Sequence, residues 1–424
     1  MTRPRAAVVV TGSELVRGDR TDLNGPFYAR EALELGLEPV RITIVGDRAD
    51  ELEAVLRASV AEADVCLVSG GLGPTHDDRT VEVVARVAGR PLRLDEELQA
   101  RIEEFSRGVA ERLRRPYADF VPGVVKQATV PEGAVVVGLA GTAPGLVVEA
   151  GKCVVVVMPG PPGELRRLWP LALETDPVRR ALARAAPPER RLLRFYGVGE
   201  STVAQALAEA GGDGDGVEVT ICARDFEIHV DLVVDNGAEP RADALAEALR
   251  GSLTQSLFAE DARPIPEIVL ELCRSRGWTL AAAESCTGGL VAARLTDIPG
   301  ASDVFVGGVV AYSDRVKREE LGVPAATIET HGAVSAEVAA AMAHGARERL
   351  QADVAVAVTG VAGPGGGTPE KPVGLVHFHA ISPEGEDGLR LDLPGERDWI
   401  RARSAVVALH LVRRLLARSR HEEE

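Results

Sequence analysis

Short runs of β-branched apolar residues alternate along this chain with longer runs rich in Ala, Leu, Glu and Arg. The alternation predicts α/β units on mainly parallel sheets, because a strand buried on both faces appears as a short continuous apolar run. In the N-terminal part it predicts strands at Ala6–Val10, Glu38–Val45, Val65–Ser69 and Val154–Met158, and helices at Asn24–Leu35, Ala49–Glu62 and Thr80–Val87.

The same rhythm returns from about Glu267 onward. There it predicts strands at Trp278–Ala283, Val304–Tyr312, Val354–Val358 and Val373–Ala380, and helices at Gly288–Leu295, Ala336–Leu350 and Asp398–Ala417. A smaller α+β stretch lies between the two parts, with helices at Ser201–Ala210 and Ala238–Gln255 and strands at Val217–Ala223 and Glu227–Val234.

Two segments with shifted composition, 176–191 and 260–266, separate these regions, since one is rich in Arg, Ala and Pro and the other contains two prolines. We therefore expect three domains, at 1–173, 174–259 and 260–424. The charged tail 418–424 is expected to fray.

Composition narrows the function classes. The 424 residues carry a net charge of −16, which argues against a general nucleic-acid binder. Five cysteines without C-x-x-C spacing make a disulfide framework or a structural zinc site improbable, and they fit a reducing cytoplasm. No apolar run approaches the ~20 residues that a membrane span needs, and the N-terminus lacks a signal-peptide pattern. We expect a soluble cytoplasmic protein.

The first candidate site is the string 70–80, which follows a predicted strand and precedes a helix. Gly70, Gly71 and Gly73 let backbone N–H groups approach a phosphate, and Thr75 stands in the same string. The adjacent Asp77 and Asp78 can hold a divalent cation such as Mg²⁺. The alternative is a glycine-rich turn in which Asp78 caps the next helix.

The second candidate is 284–289, again between a strand and a helix, and it contains Glu284, Ser285, Cys286, Thr287 and Gly288. A serine there directs its hydroxyl into the crevice at the strand ends, where N–H groups can stabilise an oxyanion. The alternatives are a helix cap formed by the serine or the threonine, and Cys286 as the nucleophile or as a small core residue.

Two further motifs follow neighbouring strands. Lys317 is one of only four lysines, and burial near Ser285 would make it a general base, with Tyr312 as a proton relay. The alternatives are that Lys317 is a solvated residue on a helix surface and that Tyr312 is a core residue. The second motif is a glycine-dense loop after a strand, typical of phosphate or planar ligands, and it contains Thr359, Gly360, Gly363, Gly365, Gly366 and Lys371. Three strand-end motifs within one domain indicate one shared site.

These strings, together with Lys126-Gln127-Ala128 and Gly197-Val198-Gly199-Glu200-Ser201, resemble the CinA family over nearly the whole chain. The resemblance implies a three-layer α/β/α molybdopterin-binding-like N-terminal domain. It further implies a small KH-like α+β middle domain and a C-terminal α/β nicotinamide-nucleotide amidase domain.

The resemblance implies a reaction that converts nicotinamide mononucleotide to the acid and ammonia without a cofactor. Ser285 would be the nucleophile, Lys317 its base and Tyr312 an assistant. The remaining named residues of the two C-terminal loops would bind the substrate. The resemblance also implies a homodimer whose substrates are small nucleotides. The middle domain lacks a GXXG loop flanked by basic residues, so in a chain with a net charge of −16 we expect no nucleic-acid partner. The lack of a long apolar run predicts no membrane partner either.

For the N-terminal domain the resemblance implies a metal-dependent ADP-ribose pyrophosphatase site, with the glycine string and Lys126 holding phosphate and Glu14, Asp77 and Asp78 the cation. The chain departs from the usual pattern at Ser13, Val124 and Gly138, where many members have polar residues. Two alternatives to a simple amidase stay open. One is a pterin- or nucleotide-binding module in molybdenum-cofactor handling or competence with a vestigial amidase, and the other is a bifunctional hydrolase.

Overall fold

The computed structural model describes residues 3–418, so the tail beyond 418, where we expect fraying, lies outside the described residues. The chain forms two compact units, which meet in sequence between Glu189 and Arg190. Within 3–418 no helix has both the length and the apolar character needed to cross a membrane.

The first unit is built on a six-stranded sheet in the order β2-β1-β3-β8-β7-β6. The neighbouring strands β2, β1, β3 and β8 pair in parallel, whereas β7 pairs antiparallel with both β8 and β6. A separate two-stranded antiparallel sheet pairs β4 with β5. The strands of this unit are β1 (Arg5–Thr11), β2 (Glu38–Val45), β3 (Val65–Ser69), β4 (Leu92–Leu94), β5 (Thr129–Pro131), β6 (Val135–Leu139), β7 (Pro144–Ala150) and β8 (Cys153–Met158).

Helices cover both faces of this sheet. Leu52 and Leu56 lie in the apolar core on one face, whereas Tyr28 and Trp169 lie in the core on the other. The helices are α1 (Ser13–Val16), α2 (Asn24–Glu34), α3 (Ala49–Glu62), α4 (Thr80–Ala88), α5 (Glu96–Leu113), α6 (Val121–Ala128), α7 (Pro162–Leu173) and α8 (Asp176–Leu182). The predicted three-layer α/β/α architecture is confirmed.

The end of the first unit differs from the expected boundary at 173. Val178 of α8 is buried in the same core as Trp169, so this helix packs on the N-terminal sheet. The arginine- and proline-rich composition of 176–191 suggested a linker, yet Val178, Ala181 and Leu182 of this short helix all pack against the core. The compact unit runs on to Glu189.

The middle region is a small α+β fold, as predicted, with a four-stranded sheet in the order β10-β11-β9-β12. Its elements are β9 (Glu189–Phe195), α9 (Glu200–Glu209), β10 (Val217–Arg224), β11 (Glu227–Val234), α10 (Glu239–Ser252) and β12 (Leu257–Ala259). Val203 and Leu207 of α9 join Leu245 and Leu249 of α10 in one core against the strands.

The C-terminal region has a five-stranded sheet in the order β14-β13-β15-β16-β17. The first three strands are parallel and the last two antiparallel. Its elements are α11 (Ile265–Arg274), β13 (Leu280–Glu284), α12 (Leu290–Thr296), β14 (Phe305–Val310), α13 (Asp314–Leu321), α14 (Ala325–His331), α15 (Ala336–Arg349), β15 (Val354–Gly360), β16 (Leu375–Ser382), β17 (Gly385–Asp392) and α16 (Arg397–Arg418). Separate cores lie on the α16 face and the α15 face of the sheet.

Candidate active site

The parallel trio β14-β13-β15 brings the C-terminal motifs to one edge of the sheet. Ser285 follows β13, Tyr312 follows β14, and Thr359 lies at the end of β15. The amide of Ser285 donates to Val358 of β15 at 2.9 Å, and the amide of Ala311 donates to Glu284 at 2.7 Å. These bonds hold the three strand ends together and fix where the serine stands.

A buried carboxylate shapes the turn that carries the serine. Glu284 is 1% exposed. Its Oε2 accepts the amide protons of Gly289 and Val291 at 2.9 and 3.0 Å, and its Oε1 accepts that of Ala292 at 2.9 Å. Gly288 and Gly289 have φ of +60° and +98°, a conformation that other residues adopt at a cost. Glu284 therefore acts on the turn and supports Ser285 indirectly.

Lys317 approaches the serine from the first turns of α13. The hydroxyl of Ser313 caps this helix by accepting the amide proton of Val316 at 3.3 Å. This start places Lys317 on the face of the helix turned toward the sheet, where it is 1% exposed. Its Nζ lies 3.0 Å from Ser285 Oγ and donates to the carbonyl of Ala311 at 2.8 Å.

The surroundings of Lys317 favour its neutral form. Burial lowers the pKa of this amine, and nearby Asp314 and Cys286 oppose that shift only in part. A lysine with a depressed pKa beside a serine hydroxyl is the arrangement in which an amine acts as a general base for a nucleophile. The solvated lysine that the sequence left open is excluded by its burial.

Cys286 is a poor rival for the role of nucleophile. Its side chain is 5% exposed, and burial raises the pKa of its thiol to about 12. The reactive form of cysteine is the thiolate, so a thiol with this pKa is almost entirely protonated near neutral pH. The thiol packs in the apolar core on the α16 face of the sheet.

A cavity of about 180 Å³ opens next to the serine and the lysine. Thr359 lies in its wall and donates its hydroxyl to the carbonyl of Ala333 at 2.8 Å. Tyr312 is 62% exposed and stands at the cavity mouth. The full lining is Ser285, Cys286, Tyr312, Asp314, Lys317, Ala333, Val334, Thr359, Gly360, Ala362 and Arg397.

Two arginines of α16 complete the site, and no sequence pattern predicts a role for them. Arg397 donates to the hydroxyl of Tyr312 at 3.0 Å and to the carbonyl of Gly363 at 2.6 Å. Arg401 donates to the carbonyls of Cys286 and Thr287 at 3.1 and 2.9 Å. Arginines four residues apart are common on solvated helix faces, so nothing in the pattern distinguished this pair.

Several predicted substrate-binding residues do not line the cavity. The hydroxyl of Thr287 is buried without a hydrogen-bond partner, and Gly288 belongs to the turn held by Glu284. Gly363 offers its carbonyl to Arg397, and Lys371 donates to the carbonyl of His331 at 2.5 Å. Gly365 and Gly366 lie exposed in the loop after Ala362. Of the glycine-rich loop residues, Thr359 and Gly360 reach the cavity.

In the N-terminal unit, the glycines after β3 allow close approach of the backbone. Gly70 and Gly71 have φ of +102° and +64°. A Cβ atom on Gly70 would stand 2.4 Å from the carbonyl oxygen of Thr11, and one on Gly71 would stand 2.2 Å from the hydroxyl of Thr80. The hydroxyls of both threonines are buried without hydrogen-bond partners.

The rest of that string folds onto itself. The hydroxyl of Thr75 bonds to Asp77 and, at 2.5 Å, to Asp78, while its carbonyl accepts the Lys126 ammonium. A Cβ on Gly73 would also meet Asp78, at 2.4 Å. Burial lowers the pKa of Lys126, although nearby carboxylates oppose the shift. Asp78 and Lys126 line one cavity of about 300 Å³ with Gly71 and Gly73.

Glu14 stands apart from these aspartates. It lines a neighbouring cavity of about 670 Å³ with Asn24, Ser69 and Gly160, and Asp77 faces neither cavity. Within 3–418, Glu14, Asp77 and Asp78 do not form a group of three ligands around one point. The expected three-carboxylate cation site therefore does not fit this arrangement, because an oxygen-bound cation needs its ligands on one sphere.

The departures from the family pattern also have structural explanations. Ser13 donates its hydroxyl to Asp47 at 2.6 Å and so is held at the end of the sheet. Val124 is buried in the apolar core below the glycine string, where a polar side chain would need a partner. Gly138 adopts φ +152° in β6.

Three family models match the chain in the order that the fold suggests. A probable molybdopterin-binding domain covers 7–178, the damage-inducible protein CinA KH domain covers 190–260, and the CinA C-terminal domain covers 262–416. The fold and the strand-end sites thus define a protein that joins a molybdopterin-binding-like domain to a CinA C-terminal domain through a KH domain.

The chain is also similar to curated relatives over nearly its whole length. A CinA-like protein of Mycobacterium avium is 47% identical over 97% of this chain and 98% of its own. One from Mycobacterium tuberculosis is 46% identical over 97% of each. A crystal structure of a competence/damage-inducible protein from Agrobacterium tumefaciens is 41% identical, with a TM-score of 0.35, over 38% of this chain and 99% of its own. The chain belongs to the CinA family.

Proposed function

We propose that the C-terminal domain is a serine amidohydrolase that converts nicotinamide mononucleotide to nicotinate mononucleotide and ammonia. The observation that carries the proposal is the contact of Lys317 Nζ with Ser285 Oγ, 3.0 Å apart in the wall of an open cavity. An amine at hydrogen-bond distance from a hydroxyl meets the geometric requirement for a nucleophile and its base.

In the first half of the reaction Ser285 Oγ attacks the carboxamide carbon while the neutral amine of Lys317 takes the hydroxyl proton. The negative charge that develops on the carboxamide oxygen requires hydrogen-bond donors, and the amide groups of the turn after Ser285 are the donors we assign to it. Glu284 accepts the amide proton of Gly289 at the end of this turn, and Arg401 donates to the carbonyl of Cys286 at its start. A preorganised turn lowers the barrier because it needs no rearrangement during the reaction.

The protonated Lys317 then gives its proton to the departing nitrogen, and ammonia leaves as the C–N bond breaks. The product of this step is an ester of Ser285. A water molecule attacks that ester while Lys317 again acts as base, and the carboxylate product leaves as the serine regains its proton. No cofactor enters the balance of these steps.

The cavity fits only part of a nucleotide. Its volume of about 180 Å³ is smaller than the ~300–1,000 Å³ typical of pockets that enclose a whole ligand. It can hold the carboxamide and the ring, with the ribose phosphate directed toward the mouth. Besides Lys317, Arg397 is the one cationic residue in the lining, and an arginine is well suited to an anionic substituent.

Ammonia release from nicotinamide mononucleotide by the full chain tests the proposal. We expect release by the wild type and none above background by Ser285→Ala, while free nicotinamide, which lacks the anionic arm, reacts more slowly. Full activity in Ser285→Ala would exclude the proposed nucleophile, and absence of release by the wild type would favour a binding role for the whole protein.

For the N-terminal unit we propose binding of a phosphate-bearing ligand, a pterin or a nucleotide. Two buried hydroxyls without partners, on Thr11 and Thr80, flank the glycine string, and cavities of about 670 and 300 Å³ open beside it. Calorimetric titration of the full chain with ADP-ribose, with and without Mg²⁺, tests this. Release of AMP that is lost in Asp78→Ala would extend the proposal to pyrophosphatase activity, and no heat of binding would contradict it.

A further inference from the structure

A cluster of two histidines and one glutamate lies on the α15 face of the C-terminal sheet, outside the serine site. His344 belongs to α15, His379 to β16 and Glu386 to β17. Glu386 Oε2 lies 2.9 Å from Nε2 of His344 and 3.1 Å from Nε2 of His379. Within residues 3–418 this is the only group of three possible ligand side chains whose ligand atoms all lie within 4.8 Å of one another.

The donor set has the chemistry of a transition-metal site. Two imidazole nitrogens and one carboxylate oxygen suit a borderline divalent ion such as Zn²⁺, whereas Mg²⁺ and Ca²⁺ prefer oxygen ligands alone. Zinc–ligand bonds are about 2.0–2.2 Å, so two ligands of a tetrahedral ion stand about 3.4 Å apart. The two contacts at 2.9 and 3.1 Å therefore need only small side-chain rotations to admit the ion.

The three ligands come from three regular elements, which makes their convergence more than a chance contact on a loop. His379 is the most constrained, with its side chain 13% exposed, while His344 and Glu386 are about half exposed and give an ion access. A Cβ atom on Gly388, which pairs with His379 across β16 and β17, would stand 3.3 Å from His379 Nδ1. Glycine in the interior of a strand weakens it, and here it leaves space for the imidazole ring.

We propose that His344, His379 and Glu386 form a binding site for one divalent transition-metal ion of the Zn²⁺ type. The ion would tie helix α15 to the edge strand β17. The same helix follows directly after Ala333 and Val334, which line the serine cavity. The site is thus separate from the nucleophile and independent of whether the amidase proposal holds.

Zinc titration of the tag-free full chain, followed by calorimetry, tests the site. We expect one ion per chain at this position, and His344→Ala and Glu386→Gln should each weaken that binding at least about tenfold, since even outer-shell changes at metal sites typically cost 10–100-fold. Mg²⁺ should not compete. The matched control is His331→Ala, because His331 pairs with Glu337 at 3.5 Å without a third ligand and should bind zinc as the wild type does.

A second readout guards against misfolded variants. Zn²⁺ should raise the unfolding temperature of the wild type and of His331→Ala, and should leave that of Glu386→Gln unchanged, because an ion that binds only the folded state stabilises it. Anomalous scattering at the zinc edge in crystals should locate the ion between the three side chains. Equal zinc affinity in the wild type and both ligand variants, or zinc found elsewhere only, would overturn the proposal.

Discussion

The turn that carries Ser285 depends on a single buried carboxylate, and Glu284→Gln tests this dependence with almost no change in volume. The glutamine oxygen can keep the bonds to Gly289 and Val291, but its NH₂ group then faces the amide N–H of Ala292. Loss of one bond to a charged acceptor costs about 1.5–3 kcal/mol, and a buried donor left unpaired adds about 1–3 kcal/mol. We expect a destabilisation of about 2.5–6 kcal/mol.

For a compact unit of this size such a loss corresponds to an unfolding temperature lower by roughly 5–25 °C. Because a misplaced nucleophile can slow a reaction about 100-fold, kcat for ammonia release should also fall strongly at a temperature where the variant is folded. The matched control is Glu227→Gln. Glu227 is equally buried and lies outside the serine site, where it accepts hydrogen bonds from Arg194, His229 and His410.

Calorimetry and ammonia release on both full-length variants separate stability from function. Both variants should unfold at lower temperature, and only Glu284→Gln should lose kcat. Equal kcat in Glu284→Gln and the wild type would refute the view that this carboxylate positions the nucleophile, and equal losses in the two variants would assign the effect to general destabilisation.

Three further predictions concern the same cavity. Burial lowers the pKa of Lys317, and only its neutral amine can accept a proton. The rate of ammonia release should therefore rise with pH, along a limb whose pKa lies below the usual lysine value of 10.5. A rate independent of pH would contradict this. Tyr312→Phe should keep the same pH dependence and lose at most about tenfold in kcat. The exposed hydroxyl of Tyr312 accepts a hydrogen bond from Arg397, and we expect it to contribute less than the ~100–10,000-fold of a general acid or base. A larger loss would support Tyr312 as a proton relay. Cys286→Ala should remain active, and the native thiol should resist iodoacetamide at neutral pH, given a pKa of about 12; rapid alkylation with loss of activity would reverse this assignment.

Periodicity predicted ten of the seventeen strands and eight of the sixteen α-helices that residues 3–418 form. Val65–Ser69 and Glu38–Val45 match the predicted bounds, because short apolar runs between turn residues leave few alternatives. The α5 helix, Glu96–Leu113, was not predicted. Its buried residues are spaced four apart, from Leu98 and Ile102 onward, within an otherwise charged and exposed segment, so its apolar face is too narrow to stand out.

The candidate site likewise contains residues that the sequence predicts and residues that it does not. Ser285, Lys317 and Thr359 could be predicted because parallel strands that end at one sheet edge must bring together the residues that follow them. The sequence did not reveal that Glu284 faces the turn, nor that Arg397 and Arg401 reach the site from the last helix. Both facts depend on packing between elements far apart in the chain, which no local pattern records.

The most direct test of the Ser285–Lys317 pair is a double-mutant cycle on ammonia release from nicotinamide mononucleotide. Residues that act as one unit are strongly non-additive, so Ser285→Ala and Lys317→Ala should each abolish most of the rate, and the double variant should lose no more than either single one. Losses that multiply in the double variant, or substantial activity in either single variant, would contradict a catalytic pair.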